Sequence, residues 1–239
     1  MVSPAQVKRF LAPLRERHPE FIYRHRTIYY RIGGNLVWGC FLDGTSAPGC
    51  LRPKPFVTDL LLSYIGMEWS GEFNHMIRRD RSRGTYYQWL EPESHTEFAD
   101  AFELDLIPKF NSILTLEDYG RHWDFPRCTF NHDTKRSRWS TRSVPPWYPF
   151  GIALGELEWA RQTAQVVESR LLLTAMKSEP GEEHRAAYYE RIMDFVTLVR
   201  ADDREGMISL LREFRLEKVR QMEIEPYWTP EPFPIETTD

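Results

Sequence analysis

The stretch FIYRHRTIYYRIGGNLVWGCFL, residues 21–42, decides the fold class of this chain. β-Branched and aromatic residues, which favour strands, are frequent on both sides of Gly33-Gly34. A glycine pair can adopt the positive φ angles of a tight two-residue turn. The stretch therefore predicts a β-hairpin, in which such a turn would place Tyr29 opposite Trp38. Both faces of this hairpin are apolar or aromatic, so we expect both to be covered.

Further elements are predicted on either side of the hairpin. Upstream, Ser3-Pro4 opens a short amphipathic helix that Pro13 should kink or end early. Downstream, a continuous apolar run predicts a buried strand over residues 56–65, with a short helix as the alternative. Another strand is expected over residues 85–90.

Helices are predicted to follow the strands. Ser94-x-x-Glu97 has the spacing of a capping box, so we expect a helix to begin at Ser94. Pro108 should break that helix near Ile107, with a short continuation toward Tyr119. Apolar stripes past residue 150 predict three more helices. The predicted fold class is therefore α+β: a mostly antiparallel sheet with an N-terminal helix and packed helices, followed by a C-terminal three-helix portion.

Four segments are expected along the chain. Residues 1–120 form the part that contains the sheet, and residues 121–149 form a loop rich in proline and aromatic residues. Residues 150–224 form the helical part, where Asp202-x-x-Glu205 is a second capping signature. Residues 225–239 form a proline-rich, extended tail that either docks on the body or contacts a partner.

Composition and targeting signals limit the function classes. The chain has 239 residues, with 35 Asp and Glu against 31 Lys and Arg, and this formal net charge of -4 argues against a surface built as a whole to hold polyanions. No apolar run has the length of a signal peptide or a membrane span. The three cysteines have no CxxC spacing and are interpreted as free thiols. We expect a cytoplasmic protein that uses no membrane and no cofactor.

The order of several stretches resembles a known group of proteins. An early helix precedes the Phe21–Tyr30 hairpin entry, and LIPKF at residues 106–110 leads into LEDY at residues 116–119. This order resembles a bacterial α+β family of unknown function, some members of which are suspected toxin-immunity proteins. The resemblance covers roughly the first half of the chain. It implies a sheet that carries helices, and it carries over no catalytic residue.

Signatures of the large enzyme classes are missing: the sequence has no GxGxxG, GxxxxGK, HExxH, CxxC or GxSxG. One constellation still consists of residue types that ligate zinc or act in acid-base catalysis. A metal-dependent hydrolase is therefore one alternative, and it requires these side chains to converge around a cleft. The other interpretation is that they make local turn hydrogen bonds. The constellation comprises His122, Asp124, Cys128, His132 and Asp133.

The same region, residues 121–149, is named the basic aromatic segment because it carries six basic residues against two acidic ones. Arginine and tryptophan are enriched at the hot spots of protein interfaces. They also hold single-stranded nucleic acid, by neutralising phosphates and stacking on bases. Protein binding is favoured in an acidic protein, and nucleic-acid binding is the alternative. The candidate binding residues are Arg121, Trp123, Arg127, Arg136, Arg138, Trp139, Arg142 and Trp147.

Residues 84–120 carry the opposite charge, with eight acidic residues against Lys109 alone. These acids either pair with the basic aromatic segment inside the molecule or form a docking face for a basic partner. The leading hypothesis is a protein-binding module, immunity-like or an adaptor. Its candidate surfaces are the basic aromatic segment and the acidic region 91–118.

Overall fold

The computed structural model describes residues 3–44, 49–61, 87–122, 147–175 and 183–237. The chain divides into two compact units. The first holds residues 1–58 and 67–114, and the second holds residues 59–66 and 115–239. Strands and helices make up the first unit, and helices dominate the second. The predicted α+β fold class is confirmed.

Two short helices, α1 (Pro4–Phe10) and α2 (Ala12–Arg17), begin the first unit. Ser3 caps α1, because its hydroxyl accepts a hydrogen bond from the backbone N–H of Gln6 at 3.3 Å. The Gln6 side chain in turn accepts from the backbone N–H of Ser3 at 2.6 Å. Pro13 stands in the first turn of α2, where a missing N–H costs no helical hydrogen bond. The predicted cap and the early end of the first helix are confirmed.

Five strands of the described residues form one antiparallel sheet in the order β1-β2-β3-β4-β5. Their order in the sheet equals their order in the sequence, which makes the sheet a meander. The strands are β1 (Ile22–Arg24), β2 (Thr27–Ile32), β3 (Leu36–Gly44), β4 (Cys50–Asp59) and β5 (Tyr87–Gln88).

The predicted hairpin is formed by β2 and β3, but its register differs from the prediction. Tyr29 faces Gly39 rather than Trp38. A β-bulge between Tyr29 and Arg31 then brings Trp38 opposite Arg31. The connection consists of residues 33–35, and neither of its glycines has a left-handed φ. The longer connection and the bulge shift the pairing, and residue types alone do not encode either of them.

A second hairpin lies inside the segment that the sequence predicted as one β-rich run. Arg24 of β1 pairs with Thr27 of β2 across a turn at His25 and Arg26. His25 has a φ of 52°, in the left-handed region. The prediction of one uninterrupted β-rich run over residues 21–32 is therefore wrong. The turn escaped prediction because it contains neither glycine nor proline, the usual turn markers.

The strand predicted over residues 56–65 begins earlier, since β4 runs from Cys50 to Asp59. Pro53 and Pro55 lie within β4. The strand expected over residues 85–90 is described at β5, which pairs with Cys50 and Leu51. Residues 62–65 and 85–86 lie outside the described residues.

The helix expected at Ser94 is α3 (Pro92–Ala101), and it begins two residues earlier than predicted. Pro92 stands in its first turn, where proline is well tolerated. Ser94 is buried inside the helix, and its hydroxyl donates to the carboxylate of Glu91 at 3.2 Å. The predicted capping box is therefore wrong, because Ser94 does not begin the helix, and Glu91 stands at the cap position without a side-chain cap hydrogen bond.

The break predicted at Pro108 is replaced by a change of helix type. A π-helical turn (Phe102–Leu106) follows α3 and continues into α4 (Ile107–Phe110). The wider π turn accommodates the lost hydrogen bond and the ring of Pro108 without ending the helical path.

Aromatic rings hold the helices of the first unit on the sheet. Phe98 of α3 lies 5.1 Å from Phe10 of α1 and 5.5 Å from Tyr87 of β5, measured between ring centroids. Phe102 continues this cluster toward Phe110 at 6.2 Å. All five rings are fully buried, so this cluster positions the exposed face of α3.

The second unit contains the three helices predicted after residue 150. No helix of the described residues is long and apolar enough to cross a membrane. The ends of the expected loop over residues 121–149 are helical, and residues 123–146 lie outside the described residues. Up to residue 221, the described helices of this unit are α5 (Leu116–His122), α6 (Trp147–Ala153), α7 (Leu157–Ala175), α8 (Glu183–Ala201) and α9 (Arg204–Gln221).

The cap of α9 lies one residue later than predicted. Asp203 is the cap, and its carboxylate accepts from the backbone N–H of Gly206 at 2.9 Å. Asp202, which the sequence indicated, has a φ of 54° and ends α8 instead. Its backbone forms the left-handed stop that often terminates a helix.

The tail docks on its own unit, which was one of the two predicted outcomes. It forms a 3₁₀ turn (Glu225–Tyr227) and a short helix, α10 (Pro234–Thr237). Phe233 and Ile235 are buried, whereas residues 229–232 are exposed.

Candidate protein-binding surface

Helix α3 has one buried face and one acidic face. Ser94, His95, Phe98 and Ala99 are buried at helical spacing. Residues three to four positions apart share a helix face, so the carboxylates on the other side form a stripe that continues into the π-helical turn. We name this the acidic face; it comprises Glu93, Glu97, Asp100, Leu104 and Asp105.

Leu104 is the apolar residue of the acidic face. Its neighbours Phe102 and Leu106 are fully buried, and Leu104 points the opposite way with 75% of its surface exposed. Leu90, two residues before α3, is 68% exposed. Single exposed leucines are common. Here, however, one leucine lies beyond each end of a helix that carries Glu93, Glu97 and Asp100 on one face.

Ion pairs fix the inner edge of the acidic face. Arg17 of α2 contacts Asp100 at 2.6 Å and Glu103 at 3.0 Å. The hydrogen bond to Asp100 raises the pKa of the Arg17 guanidinium, although desolvation opposes the shift. These acids therefore pair with α2 of their own unit, and the pairing expected with the basic aromatic segment stays a prediction, because residues 123–146 lie outside the described residues. Glu93, Glu97 and Asp105 extend the negative charge beyond these pairs.

His18 holds the same edge through both ring nitrogens. Its Nε2 lies 2.9 Å from Glu103, and its Nδ1 lies 3.0 Å from Glu20. The ring also stacks on Phe21 with centroids 4.4 Å apart. The arrangement orients the carboxylate of Glu103, so we assign His18 a positioning role.

Most candidate residues of the basic aromatic segment lie outside the described residues. Arg121 and His122 are described at the end of α5, and Trp147 at the start of α6. The binding and metal-ligation hypotheses for the others stay predictions. Those residues are Trp123, Asp124, Arg127, Cys128, His132, Asp133, Arg136, Arg138, Trp139 and Arg142.

The described members of that segment have different environments. Trp147 is buried, with its ring centroid 5.4 Å from Phe150 and 6.1 Å from Tyr119. Its ring packs in the second unit rather than offering an exposed platform. Arg121 is exposed and pairs with Asp118 of its own helix at 3.0 Å. Among the described residues, no group of three or more His, Cys, Asp or Glu side chains is placed to hold a metal ion.

An open groove of about 520 Å³ lies between α7 and α8, where the sequence predicted no site. Arg161 contacts Asp202 at 2.5 Å at one side, and Arg200 contacts Glu168 at 2.5 Å at the other. The hydrogen bond from Arg200 lowers the pKa of Glu168. Because the lining residues come from two helices far apart in sequence, no local motif marks them. Arginines already paired with carboxylates make this groove a weaker binding candidate than the acidic face.

No family model matches the chain, and neither the curated proteins nor the solved structures contain a match to it. The fold and surface thus define an α+β protein with an acidic, leucine-bearing helix face.

Proposed function

We propose that this protein is a cytoplasmic protein-binding module whose acidic face binds a basic partner segment that also carries apolar side chains. The observation that carries the proposal is the 75% exposure of Leu104 within a stripe of carboxylates. Carboxylates attract and orient a basic segment, and burial of a leucine supplies affinity that charge alone does not.

The charge of this face selects among the candidate partners. Eight acidic residues against one lysine over residues 84–120 repel the phosphates of nucleic acid. A basic protein segment, such as an amphipathic helix with lysines or arginines beside leucines, satisfies both features of the face. An immunity-like or adaptor role agrees with this chemistry, since such proteins act by binding another protein.

A binding titration tests the proposal. The probe is a fluorescent helical peptide built from lysine and leucine, and its anisotropy is followed as the full-length protein is added. We expect saturable binding that weakens as salt is raised, because the exposed charges become screened. Leu104→Ser should weaken binding about tenfold, the effect of losing most of one buried leucine's transfer free energy.

Two controls separate the acidic face from general charge attraction. Asp105→Lys reverses a charge on the face, and Glu190→Lys makes the same change at an exposed position of α8. We expect only Asp105→Lys to weaken binding. A peptide of lysine alone should bind less tightly than the lysine-leucine peptide. Equal effects of both substitutions, or no effect of Leu104→Ser, would contradict the proposal.

A further inference from the structure

The C-terminal segment is bound by arginine side chains of α9 rather than by a regular backbone ladder. The guanidinium of Arg204 donates to the carbonyl of Ile235 through two nitrogens, at 2.5 and 3.2 Å. Arg215 donates to the carbonyl of Glu231, and Arg212 pairs with the carboxylate of Glu236. Side chains therefore recognise an extended segment here, as a binding domain recognises a peptide.

Two apolar anchors complete the contact. Phe233 and Ile235 are buried, and Arg215 lies 4.3 Å from the centroid of the Phe233 ring. The chain enters this contact from Ile224, which is also buried. Between the anchors at Ile224 and Phe233, residues 225–232 are exposed apart from the half-buried Trp228. This stretch makes side-chain contacts of its own, since Arg215 lies 5.5 Å from the centroid of the Trp228 ring and Arg220 pairs with Glu225 at 3.2 Å.

The burial of Arg215 lowers the cost of exchanging the tail for another segment. Its side chain is buried under the tail, and desolvation lowers its pKa despite the opposing effect of Glu236. A buried charged group contributes less to stability than an apolar side chain of the same size. When the tail leaves, Arg215 regains water, and this gain offsets part of the lost contact.

The stretch between Ile224 and Phe233 has the length and composition of a semi-rigid spacer. Residues 225–232, EPYWTPEP, contain three prolines. In an extended polyproline conformation, eight residues span about 25 Å. A tail that opens can therefore reach a neighbouring molecule, where it meets an identical surface. Exchange of an identical element between protomers is a common route to dimers.

We propose that the surface formed by Arg204, Arg212 and Arg215 is a binding site for an acidic, proline-rich segment, and that its occupant in trans is residues 225–237 of a second copy of this chain. This site lies in the second unit and is independent of the acidic face.

A peptide added in trans tests the site. The probe is a fluorescent peptide of residues 225–239, EPYWTPEPFPIETTD. In the full chain, Phe233→Ala with Ile235→Ala removes both anchors and frees the surface. The peptide should bind this released chain at least about tenfold more tightly than wild type, in which the site is occupied most of the time. The same peptide with both anchors changed to alanine should not bind.

Matched variants keep the test specific. Tyr227→Ala alters an exposed tail residue and should leave peptide binding as in wild type. Arg212→Ala, added to the released chain, should weaken it. Equal binding of the peptide to wild type and to the released chain would overturn the proposal. Binding to neither chain, when circular dichroism shows that both are folded, would also overturn it.

Analytical ultracentrifugation measures whether two copies of the chain associate. Wild type should form dimers as its concentration rises, and the released chain should stay monomeric. A wild type that remains monomeric, or dimers that survive loss of both anchors, would overturn the exchange. If the released chain fails to fold, hydrogen exchange of the wild-type protein replaces this test. We then expect the amides of residues 225–237 to exchange faster than those of residues 207–219. Equal protection of both would overturn the proposal.

Discussion

The indole Nε1 of Trp38 donates a hydrogen bond of 2.7 Å to the backbone carbonyl of Ile113. Trp38 is the third residue of β3, and Ile113 follows α4 at the end of the helical path that carries the acidic face. Both residues are buried. The bond therefore ties the end of that path to the sheet.

Trp38→Phe should destabilise the first unit by about 2–3 kcal/mol, because it leaves a buried carbonyl without its donor and a small cavity beside it. Urea unfolding followed by circular dichroism measures the change. Tyr23→Phe is the matched control, since it also removes a donor to a carbonyl, that of His18, at a half-buried position. It should cost less than about 1 kcal/mol, since water can reach the freed group. Equal losses of unfolding free energy in the two variants would contradict a larger contribution from the Trp38 hydrogen bond.

Gly39→Ala should destabilise the sheet by about 1–3 kcal/mol, the usual cost of overpacking. A Cβ at Gly39 would lie 2.6 Å from the carbonyl oxygen of Ile28 and 2.6 Å from a ring carbon of Phe56. The same change at Gly44, also in β3, would meet its nearest atom, a nitrogen of Arg26, at 3.4 Å. Thermal unfolding should therefore separate a damaging Gly39→Ala from a tolerated Gly44→Ala. Similar melting temperatures for the two variants would refute this packing argument.

Docking of the tail should weaken in acid. Burial raises the pKa of Glu236, but hydrogen bonds from Arg212 and the backbone N–H of Phe233, with the charges of Arg212 and Arg215, lower it overall from 4.5. A carboxyl whose folded pKa is lowered contributes stability above its unfolded pKa, and this contribution is lost as pH falls through the folded value.

Glu236→Gln provides the measurement for this pH dependence. At neutral pH, the free energy of unfolding of wild type should exceed that of the variant by about 1 kcal/mol. The difference should shrink as pH falls below 4.5 and through the lowered pKa. A difference in unfolding free energy that stays constant across this range would show that ionised Glu236 does not hold the tail.

The sequence predicted those parts of the fold that have local chemical markers. Ser3-Pro4 marks a helix start because a hydroxyl cap and a proline in the first turn act within a few residues. Apolar periodicity marks the helices after residue 150, because it too depends only on residues three to four positions apart. The turn at His25 was missed because its left-handed residue is neither glycine nor asparagine. The register of β2 against β3 was missed because a bulge depends on packing from elsewhere in the unit.

The candidate surface was predictable in charge but not in geometry. The excess of acids over residues 84–120 is visible in the sequence, whereas the exposure of Leu104 depends on which neighbours the aromatic cluster buries. Trp147 shows the opposite case, because a tryptophan in an arginine-rich segment indicated a binding residue and is buried against Phe150. The charge of a segment is therefore predictable from its composition, whereas tertiary packing decides which of its side chains are exposed.

Photo-crosslinking from position 104 tests the central claim most directly. A photoreactive amino acid replaces Leu104 in the full chain, or Glu190 as the control, and adducts formed in an extract of the source cells are mapped by mass spectrometry. We predict that position 104 crosslinks to a lysine- or arginine-rich segment with apolar side chains, that Asp105→Lys abolishes the adduct, and that position 190 does not form it. Identical adducts from both positions, or adducts that charge reversal leaves unchanged, would contradict a partner-binding role for the acidic face.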